Sequence, residues 1–521
     1  MRGYLFAICF LFSASALTQP LTPTAIDSLA ERAMKSFRVP GMAIAVIKDG
    51  QMVRLKGYGL RSLRTGLPVD ENTLFGIASN SKAFTAVALG ILVDEKKITW
   101  DDPVRKWIPE FKLYNPYVTD AFTIRDLLTH RSGLGLGAGD LMLFPDSNNF
   151  ETRDIIYNLR FLKQVSGFRT KYDYDNNMYI VAGEVIKRVS GMSWEDFVQT
   201  RILQAIGMCH SAPAYDLLKD KSDVIDAHVE VDGTVEVVPR HVSKADRSAG
   251  GIYASIADLS KWVALFLNDG KFGPDSARIF SQGVQQEIWS PQTIIRVEDP
   301  GFYRIHFRAY GLGFNLEDVW GYKQVDHSGF LEGMVTKITM IPELNLGIIV
   351  LTNQESEEIL NAVTNQIKDG YLGTAYRDWT GQLLTERMQA NASDKFFTDS
   401  IWKQINQVLV HPLPMDFNPY LGQYSDPWFG EVTVSNKNGK YWFDAKRSPK
   451  LSGELLFYKP DVFVVKWTNR SIQADAFVVF HSDNKGQVNA MTMKAVSPLT
   501  DFSYDFQDLN FSKIKSTPKN N

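Results

Sequence analysis

Ser79-Asn80-Ser81-Lys82-Ala83-Phe84-Thr85-Ala86-Val87-Ala88-Leu89-Gly90-Ile91-Leu92-Val93 carries a single charge, on Lys82, and no other charged side chain occurs from Asn72 to Val93. The run after the lysine is apolar on nearly every face. It predicts a helix buried all round, not a surface helix with one wet side. A lone ammonium there costs several kcal/mol unless it is compensated. Residues three apart on a helix are neighbours, so Lys82 sits beside the Ser79 hydroxyl at the helix start. A buried amine next to a hydroxyl can make serine a nucleophile without a histidine.

The tetrad by itself says little, because Ser-x-x-Lys recurs at Ser400, Ser482, Ser512 and Ser516. The string at Ser482 sits before Gly486 and reads as a hairpin turn. Only Ser79 opens a buried helix.

Working outward, Ala25–Phe37 reads as a helix. Met42–Val46 and Gln51–Tyr58 read as strands joined at Asp49-Gly50. Residues 100–210 are mostly helices and loops. Strands return at Tyr310–Phe314, Met334–Ile341 and Leu346–Thr352, the last two joined by Pro-Glu-Leu-Asn. Strands at both ends with helices between predict an α+β or α/β domain: one antiparallel sheet built from both ends of the domain, flanked by helices and carrying a helical insertion. A helical linker fills about 376–410. After His411-Pro412-Leu413-Pro414 six short strand-like runs follow (431–435, 440–444, 454–458, 462–467, 474–480, 487–493), a small antiparallel barrel or sandwich.

With 521 residues the chain exceeds one ordinary core. A net charge of −3 and the lack of a long basic run speak against nucleic acid or an anionic membrane as partner. Met1-Arg2-Gly3-Tyr4, the apolar Leu5–Phe12 and Ser13-Ala14-Ser15-Ala16 match a secretory signal peptide ending at residue 16, which predicts a periplasmic or secreted protein with no stable membrane span after cleavage. Cys9 would leave with it, and Cys209, then alone, reads as a small buried apolar residue.

Two further elements bear on chemistry. Tyr172-Asp173-Tyr174-Asp175-Asn176 precedes an apolar helix, Ile180–Val189. A tyrosine and an asparagine two apart on a loop can face one cleft, the first passing protons and the second orienting an amide or ester. The same string is also compatible with an aromatic loop packing on its helix. Val325-Asp326-His327-Ser328-Gly329-Phe330 is an extended segment whose glycine lets a substrate backbone approach, so that a backbone N–H pairs with that of Ser79 as an oxyanion hole. Taken alone, His327 is equally an ordinary buried histidine.

In this order, Ser79-x-x-Lys82, Tyr174-x-Asn176 and His327-x-Gly329 form the set found in serine β-lactamases and penicillin-binding proteins. Residues 23–375 thereby resemble the β-lactamase-related serine hydrolases: class C β-lactamases, D-alanyl-D-alanine carboxypeptidases, D-aminopeptidases and family VIII esterases. Thr123–Leu134 and Ala249–Ser255 are similar to further family strings. Residues 411–515 resemble the lipocalin-like barrel often appended to such enzymes. The resemblance implies Ser79 as acylated nucleophile, Lys82 and Tyr174 sharing proton transfer, and Asn176, His327 and Gly329 holding substrate. It also implies the N–H groups of Ser79 and Phe330 as the oxyanion hole. It implies an exported hydrolase of esters, amides or D-amino-acid peptides, with a small-molecule or peptide substrate, no cofactor and no metal. A slow or non-deacylating penicillin-binding sensor is the alternative, and homo-oligomerisation stays open. His327 stands where the lactamases carry lysine, and a mostly neutral side chain there weakens the case for β-lactams. Asp175 is expected to place negative charge near the cleft.

Rival chemistries lack their motifs. There is no Gly-x-Ser-x-Gly, no His-Glu-x-x-His and no paired cysteine motif. Gly133–Gly139 fails the Gly-x-Gly-x-x-Gly spacing and reads as a flexible loop at the cleft rim, with His130 beside it structural.

Overall fold

A computed structural model describes residues 19–273, 277–411 and 416–515. The expected signal peptide, with Cys9, and Pro412–Pro414 at the expected domain boundary lie outside the described residues.

Helix α1 (Pro23–Phe37) starts on Thr22, whose hydroxyl accepts from Ala25 N–H at 3.2 Å. Strands β1 (Gly41–Lys48) and β2 (Gln51–Gly59) follow. Between them Asp49 and Gly50 both take positive φ, 52° and 73°, which matches the twist of a two-residue hairpin. The remaining strands of this sheet are β3 (Thr293–Ile295), β4 (Arg308–Tyr310), β5 (Asn315–Val319), β6 (Tyr322–Leu331), β7 (Met334–Ile341) and β8 (Leu346–Thr352). Their spatial order is β2-β1-β8-β7-β6-β5-β4-β3, and every pair is antiparallel. The first two strands of the domain thus pair with its last.

Both faces of the sheet are covered. On β1, Ala43, Ala45 and Ile47 face one core, and Met42, Ile44 and Val46 face the other. The second face is sealed by α1 and α5 (Glu357–Leu372) through Ile26, Ala30, Ile359 and Val363. The first face receives the insertion between β2 and β3. At its centre lies α2 (Ser81–Asp94), buried from Ser81 to Leu92. It packs among α3 (Asn177–Ser190), α4 (Ile256–Leu267) and neighbouring turns, with Phe84 stacked on Trp262 at 3.8 Å. Burying each large side chain of α2 contributes about 1.5–3 kcal/mol.

Helix α6 (Trp379–Val410) is a long strut anchored at its ends. Trp379 stacks on Tyr303, and Ile401 and Ile405 pack on Leu456 and Val464 of the barrel. The barrel is closed by eight strands: β9 (Gly422–Asp426), β10 (Gly430–Lys437), β11 (Lys440–Ala445), β12 (Ser452–Lys459), β13 (Val462–Trp467), β14 (Ala476–Ser482), β15 (Val488–Ala495) and β16 (Asn510–Lys513). Buried Tyr424, Phe443, Phe463, Trp467, Phe480 and Phe511 pack against one another within it.

Three expectations change. Gly311–Phe314 is a hairpin connection, not a strand. Gly311 N–H donates to Phe314 O at 2.8 Å and Gly313 has φ 81°, so the apolar Leu312 and Phe314 are buried from a turn. The barrel has two more strands than the six read from sequence, and β16 closes it against both β9 and β15. Cys209 is exposed, because it lies in the turn that ends the 199–207 helical segment.

The barrel docks on the catalytic-side insertion. Arg447 holds the Asn149 carbonyl and Asp154, Asn158 Nδ2 donates to Trp428 O at 2.8 Å, and Lys450 pairs with Asp146. Asp505 accepts from the N–H groups of Gly139 and Leu141 at 2.6 and 3.0 Å. Among the described residues no helix is long and apolar enough to cross a membrane.

Candidate active site

Ser79 sits in the tight turn Ala78–Asn80 that leads into α2. Ala78 has φ 51°, a left-handed conformation that costs a non-glycine residue on the order of 1 kcal/mol. The turn is braced on the sheet. Asn80 Nδ2 donates to Thr336 Oγ1 at 2.9 Å, and Thr336 Oγ1 donates to Ile77 O at 3.0 Å. On the other side Ile252 N–H donates to Ser81 Oγ at 3.1 Å.

Lys82 is 0% exposed, and its Nζ donates to Ser79 Oγ at 3.0 Å, Asn176 Oδ1 at 2.7 Å and Ala249 O at 3.0 Å. Burial pushes the amine down to about 7, against the opposing pull of Asp140, Asp246 and Asp175. A neutral amine has two N–H bonds and one lone pair. The two oxygens that can only accept, Asn176 Oδ1 and Ala249 O, take the N–H bonds, so the lone pair faces the Ser79 hydroxyl. Asn176 is oriented for this, because its Nδ2 donates to Asp140 Oδ2 at 2.7 Å. Burial and Asp175 hold the Asp140 carboxyl well above the usual carboxylate range. The two shifts agree: the dry interior favours a neutral amine beside a neutral carboxyl over an ion pair.

The Tyr174 ring lies over the Lys82 ammonium position, 4.8 Å from Nζ to ring centroid. Burial raises its phenol well above the ordinary value, so it is neutral at physiological pH. The ring is clamped between His130, at 4.1 Å between centroids, and Phe502 of the barrel, at 5.8 Å. His130 is buried and neutral, and its Nδ1 accepts from Asp175 N–H at 3.0 Å.

Strand β6 passes the serine turn closely. A Cβ on Gly329 would stand 2.3 Å from Ile77 O and 2.9 Å from Ala78 Cβ, so only glycine permits this approach. Phe330, next in the strand, lines a cavity of about 710 Å³ together with Ser79, Tyr174 and Asn176. Lys82, Gly329 and His327 stand behind its wall. His327 is 3% exposed, with Nδ1 donating to Ser328 O at 2.5 Å and Nε2 accepting from Tyr310 Oη at 2.9 Å. Burial and Lys82 push it down to about 4, so it carries no charge at neutral pH.

Asp175 departs from its expected place. It is fully buried, its carboxylate accepts from the N–H groups of Asn177 and Met178 at the start of α3, and burial raises it to about 7. Its side chain turns away from the cleft to cap a helix. The 133–139 loop is likewise fastened rather than flexible: Gly137 N–H donates to Tyr174 O at 2.8 Å, and Asp505 holds Gly139. Three contributors escape sequence reading. Ala249 acts through its carbonyl, which no residue type signals. Asp140 sits just past the glycine loop, with only that adjacency as a hint. Phe502 and Asp505 come from the distant barrel.

With the geometry in place, comparison with known proteins agrees. The "Beta-lactamase" family model matches residues 26–371, and a "Domain of unknown function (DUF3471)" matches residues 410–513. The chain belongs to the Beta-lactamase family. It is 30% identical over 342 residues to the "Unguisins hydrolase ungD" of Aspergillus violaceofuscus (strain CBS 115571), a match that covers 62% of this chain and 59% of that protein's length. It is 26% identical over 403 residues to "Protein flp" of Staphylococcus aureus, covering 70% of this chain and 76% of the relative. In fold it resembles the octameric penicillin-binding protein homologue from Pyrococcus abyssi, with a TM-score of 0.57 and 21% identity over 95% of this chain and 100% of that one.

Proposed function

We propose that this protein is an exported serine hydrolase that cleaves esters, amides or D-amino-acid peptides through an acyl-enzyme on Ser79. The observation that carries the proposal is the donor count at Lys82: two obligate acceptors leave its lone pair to Ser79 Oγ. Ser79 Oγ attacks the carbonyl carbon while its proton passes to Lys82 Nζ. The oxyanion is held by the backbone N–H groups of Ser79 and Phe330. The leaving group departs with a proton relayed from Lys82 through the Tyr174 hydroxyl, and Asn176 holds the substrate. Water then attacks the ester, its proton follows the same Tyr174–Lys82 path, and the acid is released with Ser79 restored.

The high affinity of Tyr174 for its proton supports Lys82 as the base and Tyr174 as the relay. The name of the Aspergillus relative as a hydrolase accords with hydrolysis as the outcome. The neutral His327 supports esters, amides or peptides over β-lactams, since it offers no fixed cation to a substrate carboxylate. Export rests on the first sixteen residues, and a mature chain beginning after Ala16 is the expected product.

A fluorophosphonate probe tests the nucleophile, and a chromogenic ester or amide followed over time tests turnover. The native enzyme should label on Ser79 and turn the substrate over. Ser79→Ala should lose labelling and at least about 10⁴-fold in kcat/KM. Full turnover by Ser79→Ala would overturn the mechanism, and an acyl-enzyme that forms but does not clear would make the protein a binder.

A further inference from the structure

The cavity that opens on Ser79 carries an imbalance of charge that the acyl-transfer chemistry does not need. Its walls hold eight carboxylates and one arginine, counted along its lining. That arginine, Arg387, is already engaged, facing Glu230 at 3.6 Å and Glu358 at 3.9 Å. The other six carboxylates, on Asp232, Glu332, Glu355, Glu357, Asp394 and Asp501, form no ion pair among the described residues. Three separate segments bring the inner group together. Glu332 follows the end of β6, Glu355 and Glu357 follow β8, and Asp501 comes from the barrel segment between β15 and β16.

These groups feel one another. Burial, with Glu332 and Asp501 nearby, pushes the Glu355 carboxyl up to about 8. Burial and Asp501 push Glu357 up, and burial raises Asp501 itself. Unpaired carboxylates gathered in an enclosed space repel one another, and a cation among them relieves that repulsion.

A second feature points to a missing partner at the same wall. Gln354, between the end of β8 and Glu355, is 1% exposed and lines the cavity, and its Oε1 has no hydrogen-bond partner. A buried amide oxygen without a donor costs roughly what a lost hydrogen bond does, and an N–H group of a bound molecule satisfies it.

Strand β6 sets the distance. The proposed oxyanion donor is Phe330 N–H, and Glu332 lies two residues further, about 6–7 Å along an extended strand. The opposite direction is closed, because His327 and Tyr310 are buried against each other and do not line the cavity. An extended dipeptide acyl chain places its terminal nitrogen about one residue from the scissile carbonyl, which is the reach required.

We propose that the Glu332–Glu355–Asp501 wall binds a free ammonium group on the acyl chain, so that the preferred substrates are short peptidic amides or esters with an unblocked amino terminus. This rests on the acyl-enzyme reading above and adds to it a substrate class and a role for the barrel, which contributes Asp501 to the site.

The test uses the full-length enzyme with dialanine p-nitroanilides, of D and of L configuration, each with a free and an N-acetylated amino terminus. The native enzyme should favour the free amine at least tenfold in kcat/KM in the configuration it cleaves. The double variant Glu355→Gln/Asp501→Asn keeps acceptors for Gly333 N–H and Ser503 N–H. It should lose that preference while cleaving the acetylated compound at the native rate. If neither compound is cleaved, protection of Ser79 from fluorophosphonate by dialaninamide and by its N-acetyl form reads the same comparison. Equal turnover or equal protection of the two forms, no protection by either, or a preference that survives in the double variant would overturn the inference. In those cases Ser79-dependent turnover leaves the acyl-enzyme reading standing. Turnover that persists in Ser79→Ala overturns both.

Discussion

Two lysines are buried in the catalytic domain, and they differ in what surrounds them. Lys82 on α2 and Lys368 on α5 are both buried, and burial lowers both, to about 7 and about 8. Lys368 donates to Gln324 Oε1 at 2.8 Å, lies 3.7 Å from the centre of the Tyr303 ring, and is drawn back towards its charged form by Glu317, Asp326 and Asp369. It has no hydroxyl to deprotonate and does not line the large cavity. Lys82 has two obligate acceptors, a serine hydroxyl in its third direction, and that serine opens on the cavity. Burial and a lowered pKa are therefore common to a structural and a candidate catalytic lysine. The partner in the third direction separates them.

The comparison breaks most sharply under paired substitution. Lys82→Met should lower kcat/KM by about 10³–10⁴-fold and leave the melting temperature unchanged or higher, since it removes a group that is costly to charge in place. Lys368→Met should do the reverse. It strands Gln324 and Glu317, costs about 2–4 kcal/mol of stability, and leaves kcat within a few-fold. Steady-state kinetics and thermal denaturation on both variants decide it; equal losses of activity would erase the distinction. Next in size, Gly329→Ala drives a Cβ against Ile77 O and should cost about 10²-fold in kcat with little change in KM for a small ester. Tyr174→Phe removes only the relay hydroxyl and should cost about 10–10²-fold in kcat. The smallest effect belongs to Asp505→Ala, which frees the Gly139 and Leu141 N–H groups beside Asp140. A several-fold fall in kcat and a lower melting temperature are expected.

Much of this was legible in the sequence, and the exceptions have physical reasons. The all-round apolar run after Lys82 predicts a buried helix, and α2 is buried from Ser81 to Leu92. Gly329 reads as a close approach, and the missing Cβ is what lets β6 pass the serine turn. Sequence patterns carry side-chain type along one segment. They carry no record of a backbone carbonyl such as Ala249 O, nor of an approach from 366 residues away, as when Asp505 meets Gly139. Asp175 shows a third limit. An acid next to two site residues reads as cleft charge, but a loop entering a helix turns successive side chains to different sides, and Asp175 becomes the cap. The strand assigned to Tyr310–Phe314 failed because apolar residues in a tight turn can be as buried as those in a strand.

The account stands on a neutral Lys82 as the base for Ser79, and the pH dependence of Ser79 acylation tests that most directly. With the Lys82 amine at about 7, the rate of fluorophosphonate labelling should be low in acid, rise tenfold per pH unit below 7, and level above it as the lone pair becomes available. Lys82→Arg, which stays protonated throughout, should label at least about 10³-fold more slowly with no such rise. A rate that is flat from pH 5 to 9 in the native enzyme, or a Lys82→Arg variant that retains the native profile, would contradict it.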